Sequence, residues 1–258
     1  KFDPQTDLHG VTFYGEQLKK DTGVALVNAK RDEKLSAMLV DRAKAAPDYQ
    51  ATTYGKYELH SWTHDKGTRH QRGMTGAFYG PDIVVFGTSV DEVKAALDVL
   101  GGTKPSLAAD SPLAAAVPQG AMLVVRAIGV ADADLPHQHP LAKQVDSVSL
   151  AAGEYQGESF VDAKMTVKKP ELAQQMKTVI DGIRGVVMIV HADDENLMKL
   201  ISPLKVTAEG NVLSIEGRAP ADSVWAQAQK MCKKAKAYRE RFAHPRARRP
   251  MGEKKADK

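Results

Sequence analysis

Histidines are the first possible metal ligands in this chain. His60 and His64 lie four residues apart in a segment that reads as a β-strand. At roughly 3.3 Å per residue, their Cα atoms would be about 13 Å apart. One metal ion cannot bind both unless the strand ends before Thr63.

A second histidine pair, His137 and His139, has better spacing. Residues i and i+2 of an extended segment lie about 6.6 Å apart on one side, within reach of one ion. The pair lies between prolines in a linker-like segment, where solvated polar residues are common. A third ligand would have to come from Asp132, Asp134 or His70. We predict no metal and no other cofactor, and a His137/His139 site stays open as the alternative.

Candidate nucleophiles and phosphate-binding loops are no better supported by the sequence than the metal sites. Ser89 has no glycine two residues later, so it does not form a nucleophile elbow. Instead, Ser89 and Glu92 have the spacing of a capping box. The run 101–104 (Gly-Gly-Thr-Lys) ends a predicted helix rather than following a strand, unlike a phosphate loop. The acidic run 193–195 is typical of a first helical turn, and a cation site is its alternative.

Cysteine usage excludes an internal disulfide and a multi-cysteine metal site, because Cys232 is the only cysteine. Its neighbours at helical spacing are apolar, which predicts a small buried hydrophobe, with a reactive thiol as the alternative. No arrangement of residues supports catalysis. We predict that the protein is not an enzyme.

Aromatic residues crowd the predicted strands of the first half. We select four as candidates for lining a ligand cleft: Tyr14, Tyr57, Trp62 and Tyr79. Half-buried strands favour aromatic residues in any case. Core or cross-strand packing is therefore the alternative interpretation.

The charge is distributed unevenly along the chain. Residues 233–258 hold eleven Lys or Arg and three Asp or Glu, whereas the other 232 residues hold 25 basic and 29 acidic side chains. We predict that residues 243–258 form a flexible basic arm. Its cationic residues are candidates for binding an acidic partner: Arg246, Arg248, Arg249, Lys254 and Lys255. Few aromatics accompany them, which makes nucleic acid an unlikely partner and leaves a membrane surface as an alternative.

Hydropathy patterns in the second half predict two strands, a long helix, a short helix and two more strands over Val145 to Arg218. Pro170 opens the long helix, where its missing N–H costs nothing. Apolar residues then recur at spacings of three and four and give one apolar stripe. Gly210 and Asn211 separate two alternating runs, which is typical of a hairpin. No apolar run approaches the roughly 18 residues of a membrane-spanning helix.

The first half repeats this plan weakly. Gly80 and Gly87 lie 130 positions before Gly210 and Gly217, and each pair closes a hairpin before a helix. The pattern predicts an α+β fold of two tandem ββαββα-type modules, with helices packed on one face of antiparallel sheet. We place the first module at residues 1–130, a Pro/His linker at 131–144, the second module at 145–242 and the basic arm at 243–258.

Several segments share a pattern of core positions: residues 7–15 with 23–27, the strand around Trp62, residues 89–102, and the C-terminal runs 146–154 and 200–220. Together they resemble a family of uncharacterised exported proteins of planctomycete-type bacteria. The resemblance covers roughly residues 7–230. It implies export to the periplasm or cell envelope behind a removed signal peptide, and it brings no activity and no site residues.

These observations favour a non-enzymatic exported protein that acts by protein–protein contact, for example as a subunit of a larger envelope or extracellular assembly. The alternative is a binding module for a small apolar or lipid-like ligand. Such a ligand would lie between sheet and helices, beside the aromatic strands and the long apolar helix face from Leu172 to Val190.

Overall fold

Two separate sheets, of six and five strands, form the framework of this protein together with six α-helices in the described residues. The computed structural model describes residues 2–16, 22–65, 67–68, 71–133 and 140–243. Pairing is antiparallel wherever the register is defined. The predicted α+β class is confirmed.

The first sheet and its helices come from the N-terminal half. Their elements are α1 (Pro4–Asp7), β1 (Leu8–Tyr14), β2 (Val24–Ala29), α2 (Glu33–Lys44), β3 (Gln50–Tyr54), β4 (Tyr57–His64), β5 (Arg72–Tyr79), β6 (Ile83–Gly87) and α3 (Val90–Leu100). The strand order is β1-β2-β6-β5-β4-β3. The last strand of the meander therefore returns to pair with β2, and β1 and β3 form the edges.

The core of this first unit lies between the sheet and α3. Leu59, Val85 and Val93 are completely buried, and Leu97 is 1% exposed. The register places Leu59 opposite Ala77 and Ala77 opposite Val85, so three neighbouring strands present one apolar row to the helix. Burial of these side chains fixes α3 on this face of the sheet.

Helix α2 packs on the opposite face. Ala43, which is buried, lies near His60, Trp62 and Phe86. These strand residues have the opposite parity to those under α3, and successive side chains of a strand point to opposite faces. The prediction that helices share one face is therefore wrong for this unit. Both faces of its central strands are apolar, as the buried Val84 and Val85 of β6 show.

The N-terminus of α3 carries the predicted capping box. Ser89 Oγ accepts from the Glu92 N–H at 3.3 Å, and the Glu92 carboxylate accepts from the Ser89 N–H at 3.0 Å. The same carboxylate also accepts from the N–H and hydroxyl of Thr88 and from the N–H of Gly23 at the start of β2. Glu92 therefore joins the helix start to two strands.

We expect Glu92→Gln to cost about 1 kcal/mol, as loss of a cap does, and to weaken the acid dependence of stability. Burial acts to raise the pKa of Glu92, but hydrogen bonds from Thr88, Gly23 and Ser89 outweigh it, so the pKa lies below the ordinary 4.5. At acidic pH the unfolded state therefore binds more protons than the folded state does. The stability that the ionised Glu92 contributes is lost as pH falls below about 4.5. Urea titrations at several acidic pH values should show a shallower pH slope for the variant. Equal slopes would contradict the assignment.

The second sheet is built mainly from the C-terminal half. This sheet and its helices comprise β7 (Ala121–Ile128), β8 (Val145–Tyr155), β9 (Glu158–Val167), α4 (Pro170–Val190), α5 (Glu195–Ile201), β10 (Lys205–Glu209), β11 (Val212–Pro220) and α6 (Ala221–Ala243). The strand order is β10-β11-β9-β8-β7. The two strands, two helices and two strands predicted for Val145 to Arg218 are confirmed, as is the two-residue hairpin at Gly210.

One face of this sheet is covered and the other is polar. Leu213 and Val206 are buried on the covered face, where Leu204 lies so close to Gly217 that a Cβ there would come within 2.6 Å of its side chain. On the opposite face Arg218 donates two hydrogen bonds to Asp162, at 2.8 and 3.0 Å. This alternation places the helices of the second unit against one face of its sheet.

The boundary between the two units differs from the predicted one. One unit contains the chain up to Ala116 together with Ala127–Ser147, and the other contains Val117–Arg126 together with the chain from Val148 onward. Strand β7 thus lies in the second sheet although it precedes the predicted linker. Linker composition marks an exposed connection, but strand pairing is long-range and decides which sheet a strand joins.

Both sheets contain the same four-strand order. In each sheet two hairpins lie side by side, and the second strand of one pairs with the second strand of the other. The resulting orders are β1-β2-β6-β5 in one sheet and β8-β9-β11-β10 in the other. Beyond this core the units differ, since β3 and β4 extend the first sheet, β7 extends the second, and α5 has no counterpart. Descent from tandem modules stays a prediction.

Candidate protein-contact surface

Helix α4 is the longest helix whose side chains are described throughout, and it is apolar on two sides. It begins at Pro170, whose ring suits the first helical position, and continues for 21 residues. One side packs on β10 and β11 and includes the completely buried Ala173. Because a surface helix usually has one apolar face, a second one requires an explanation.

Three of the four charged residues of α4 do not lie on the second apolar side; the fourth, Glu171, is in the first turn. Lys177 and Asp181 form an ion pair at 2.6 Å, and both side chains are about two-thirds buried. The hydrogen bond from Lys177 holds the pKa of Asp181 below its ordinary value. Arg184 donates to the backbone carbonyl of Leu204. These three side chains are held toward their own unit.

Five apolar side chains of α4 project into solvent instead, and we call them the α4 stripe. Their exposed fractions lie between 60% and 79%, and they are Val179, Ile183, Val186, Ile189 and Val190. At 100° per residue they share an arc of about 120° around the helix axis. No charged residue follows Arg184 within the helix. The stripe is therefore a continuous, uncharged apolar surface.

Other exposed apolar residues do not form such a surface. Phe13 on β1 and Met122 on β7 are 78% and 84% exposed, and both lie on edge strands. Their apolar neighbours alternate between the two faces of each strand. Only in α4, among the described elements, do five such side chains share one side.

The predicted ligand-binding aromatics do not form one site. Tyr57 and Tyr79 pack against the α3 core, and the Tyr79 hydroxyl donates to the Leu100 carbonyl at the end of that helix. Tyr14 lies on the same face near the other end of α3, where burial and then the Glu92 charge raise its pKa. Trp62 lies on the opposite face, beside α2. The structure brings Tyr57 and Tyr79 together, with ring centroids 6.0 Å apart, and separates the other two.

The cavity beside Trp62 is small. It measures about 20 Å³ and is lined by α2 residues and by side chains of β4 to β6, including Phe78 and Phe86. That volume corresponds to roughly one water molecule, whereas ligand pockets reach a few hundred cubic ångström.

The histidines of β4 have structural environments. His60 Nδ1 lies 2.8 Å from the Tyr49 hydroxyl, and its ring packs against Tyr49 and Phe78. Burial lowers the pKa of His60. His64 is exposed beside Asp65. Residues 134–139, with His137 and His139, and His70 lie outside the described residues. In the described ranges no three His, Cys, Asp or Glu side chains are grouped as metal ligands.

The acidic run before α5 caps that helix, as predicted. Asp194 accepts from the Leu197 N–H at 3.3 Å and pairs with Lys230 and Gln227 of α6. The hydrogen bond from Lys230 is the main reason that the pKa of Asp194 is lowered.

The interpretation of Cys232 as a buried hydrophobe is wrong. Cys232 is exposed, and so is every residue from 229 to 236. This half of α6 extends past the part of the helix that is packed, so helical spacing alone did not indicate burial. The predicted partner-binding residues, from Arg246 to Lys255, lie outside the described residues.

Among the residues that the structure describes, no helix has the length and hydropathy needed to cross a membrane.

Comparisons with known proteins give only remote likenesses. No protein-family model and no curated protein matches the chain. Among solved structures, crystal form I of TP0453 aligns with a TM-score of 0.47 at 9% identity, covering 84% of this chain and 77% of the other. Crystal form IV of TP0453 aligns with a TM-score of 0.41 at 9% identity, over 86% and 78% of the two chains. Identity of 9% and TM-scores under 0.5 assign this chain neither a family nor a function.

Proposed function

We propose that this chain is a non-enzymatic protein that acts by contact with other proteins, and that the α4 stripe is its contact surface. The observation that supports the proposal is the exposure of five neighbouring apolar side chains on a helix where Lys177, Asp181 and Arg184 face their own unit. Fully burying one such side chain contributes about 1.5–3 kcal/mol. Contiguous apolar surface of this kind is typical of interaction sites.

A chemical role has less support. His60 bonds to the Tyr49 hydroxyl, and Asp194 caps α5 and pairs with Lys230. The alternative of a small apolar or lipid-like ligand required a cavity between sheet and helices. The cavity at Trp62 is about 20 Å³, and the apolar helix face from Val179 to Val190 points to solvent instead of lining it.

Export to the periplasm or envelope is part of the proposal and derives from the family resemblance. If the protein is exported, another subunit of an envelope or extracellular assembly would cover the stripe, and the basic arm would add contacts to acidic side chains. Cell fractionation of the source organism tests the location independently of the contact surface.

The size of the native particle tests the proposed function. We expect the full-length protein in native extract to migrate well above the 28.0 kDa of a single chain, and the substitution Ile183→Glu to reduce that size. A charge at the centre of an apolar interface has to be desolvated without a partner, which weakens association strongly.

The matched control is Gln174→Glu, which adds the same charge to an exposed residue of the same helix. Positions 174 and 183 are nine residues apart, which places them on opposite sides of the helix. The control should keep the native size. A lone particle of single-chain size for the unsubstituted protein would contradict the proposed function.

A further inference from the structure

Four residues of the α4 stripe continue a heptad spacing that begins at two partly buried residues, Leu172 and Met176. The residues of this helix-pairing seam follow one another at intervals of four, three, four, three and four: Leu172, Met176, Val179, Ile183, Val186 and Val190. This is the heptad repeat that lets two helices pack along their length with interdigitated side chains. We propose that α4 pairs with α4 of a second copy of this chain. The inference rests on the proposed function and names the partner of that surface.

Charge decides which partner fits. The positions that flank the seam carry no charged residue: Ala173, Ile180 and Val187 on one side, and Gln175, Gly182 and Ile189 on the other. An acidic partner or an anionic surface would find no cation of α4 within the stripe, because Lys177 and Arg184 are held on the other side of the helix. A second copy presents the same uncharged seam, so no like charges repel each other across the pair. By symmetry, the side chains of each copy fit between those of the other.

Geometry limits how strong the pairing can be. The exposed part of the seam runs from Val179 to Val190, about 18 Å at 1.5 Å per residue. At their exposed fractions, the five side chains of the stripe offer roughly 330 Å² on each copy, if one complete side chain corresponds to about 100 Å². Two copies would bury about 650 Å², which is below the roughly 1,200–2,000 Å² of stable interfaces and typical of weak, transient ones. The dimer should therefore be reversible and dependent on concentration.

The first test is sedimentation velocity of the purified full-length chain across micromolar concentrations. We expect a monomer–dimer equilibrium that Ile183→Glu weakens about tenfold or more, whereas Gln174→Glu leaves it unchanged. Ile183 is 60% exposed, so the variant should retain the circular dichroism spectrum and melting temperature of the wild type. A wild-type monomer at all concentrations, or a dimer that Ile183→Glu does not weaken, would overturn the inference.

A charge-swap experiment tests self-pairing directly. Ile183→Glu and Ile183→Lys should each be monomeric, because equal charges meet across the seam. An equimolar mixture should associate more tightly than either variant alone. A mixture no tighter than its components would show that α4 does not face α4.

The two proposals fail in different ways. A monomeric purified chain whose native particle is large and shrinks with Ile183→Glu would overturn the second copy as partner and would leave the proposed function standing. A native particle of single-chain size would overturn both.

Discussion

Leu97→Ala should lower the free energy of unfolding of the first unit by about 3 kcal/mol, within the range for truncating a buried leucine. Leu97 lies in the middle of α3 and is 1% exposed, and it belongs to the cluster that includes Leu59, Val85 and Val93. The truncation removes three carbon atoms. The surrounding strands are fixed by pairing on both sides and cannot close the cavity that remains.

Val99→Ala is the matched control on the same helix. Val99 is 37% exposed and lies about 200° around the axis from Leu97. Alanine also has the higher helix propensity, so this change should cost well under 1 kcal/mol. Urea denaturation followed by fluorescence in a Trp225→Phe background reports on the first unit, because the remaining tryptophan, Trp62, lies in its sheet. A cost below about 1 kcal/mol for Leu97→Ala would show that α3 is not held as described.

Local features of this fold could be predicted because their causes lie within a few residues. The capping box needs only Ser89 and Glu92 three positions apart, and the hairpin needs Gly210, whose φ of 56° suits the left-handed region. Each of these predictions depends on neighbours in sequence, and each is confirmed by the hydrogen bonds or burial of those neighbours.

Long-range features could not be predicted in the same way. The pairing of β7 with the second sheet depends on a partner strand beyond the linker, and no local pattern identifies that partner. Helices α2 and α3 pack on opposite faces of the first sheet because its central strands are apolar on both faces. A short apolar run does not show this by itself, because such a run also occurs in a sheet that is covered on one face only. The adjacent apolar residues Val84 and Val85, which belong to opposite faces of β6, are the signal that could have indicated a second covered face.

The candidate site was missed for a related reason. The pattern gives α4 one apolar stripe, but apolar residues cover more than one side of this helix, and the sequence does not say which side meets the sheet. Charged residues usually mark the solvent side, yet Lys177, Asp181 and Arg184 lie toward the unit and satisfy one another or a backbone carbonyl. The absence of charge after Arg184 was the available signal.

The join between β7 and β8 depends on two glycines. Gly120 has a φ of 76°, and its carbonyl accepts from the Glu154 N–H at 3.0 Å. A Cβ on Gly153 would clash with the Gly120 carbonyl oxygen and come within 2.7 Å of the Ala121 Cα. These are backbone atoms, which cannot rotate away as a side chain can. The two segments can lie this close only if residue 153 has no side chain.

Gly153→Ala should therefore separate β7 from β8 and destabilise the second sheet by about 3 kcal/mol, the upper end of the cost of overpacking. Hydrogen exchange should show faster exchange for the amides of β7 and unchanged protection for β2 in the first sheet. Gly185→Ala is the control, because a Cβ there meets no atom within 4 Å and lies inside a helix, where alanine stabilises by up to about 1 kcal/mol. Unchanged exchange in β7 with Gly153→Ala would mean that the backbone of residues 120 and 121 does not approach Gly153 this closely in solution.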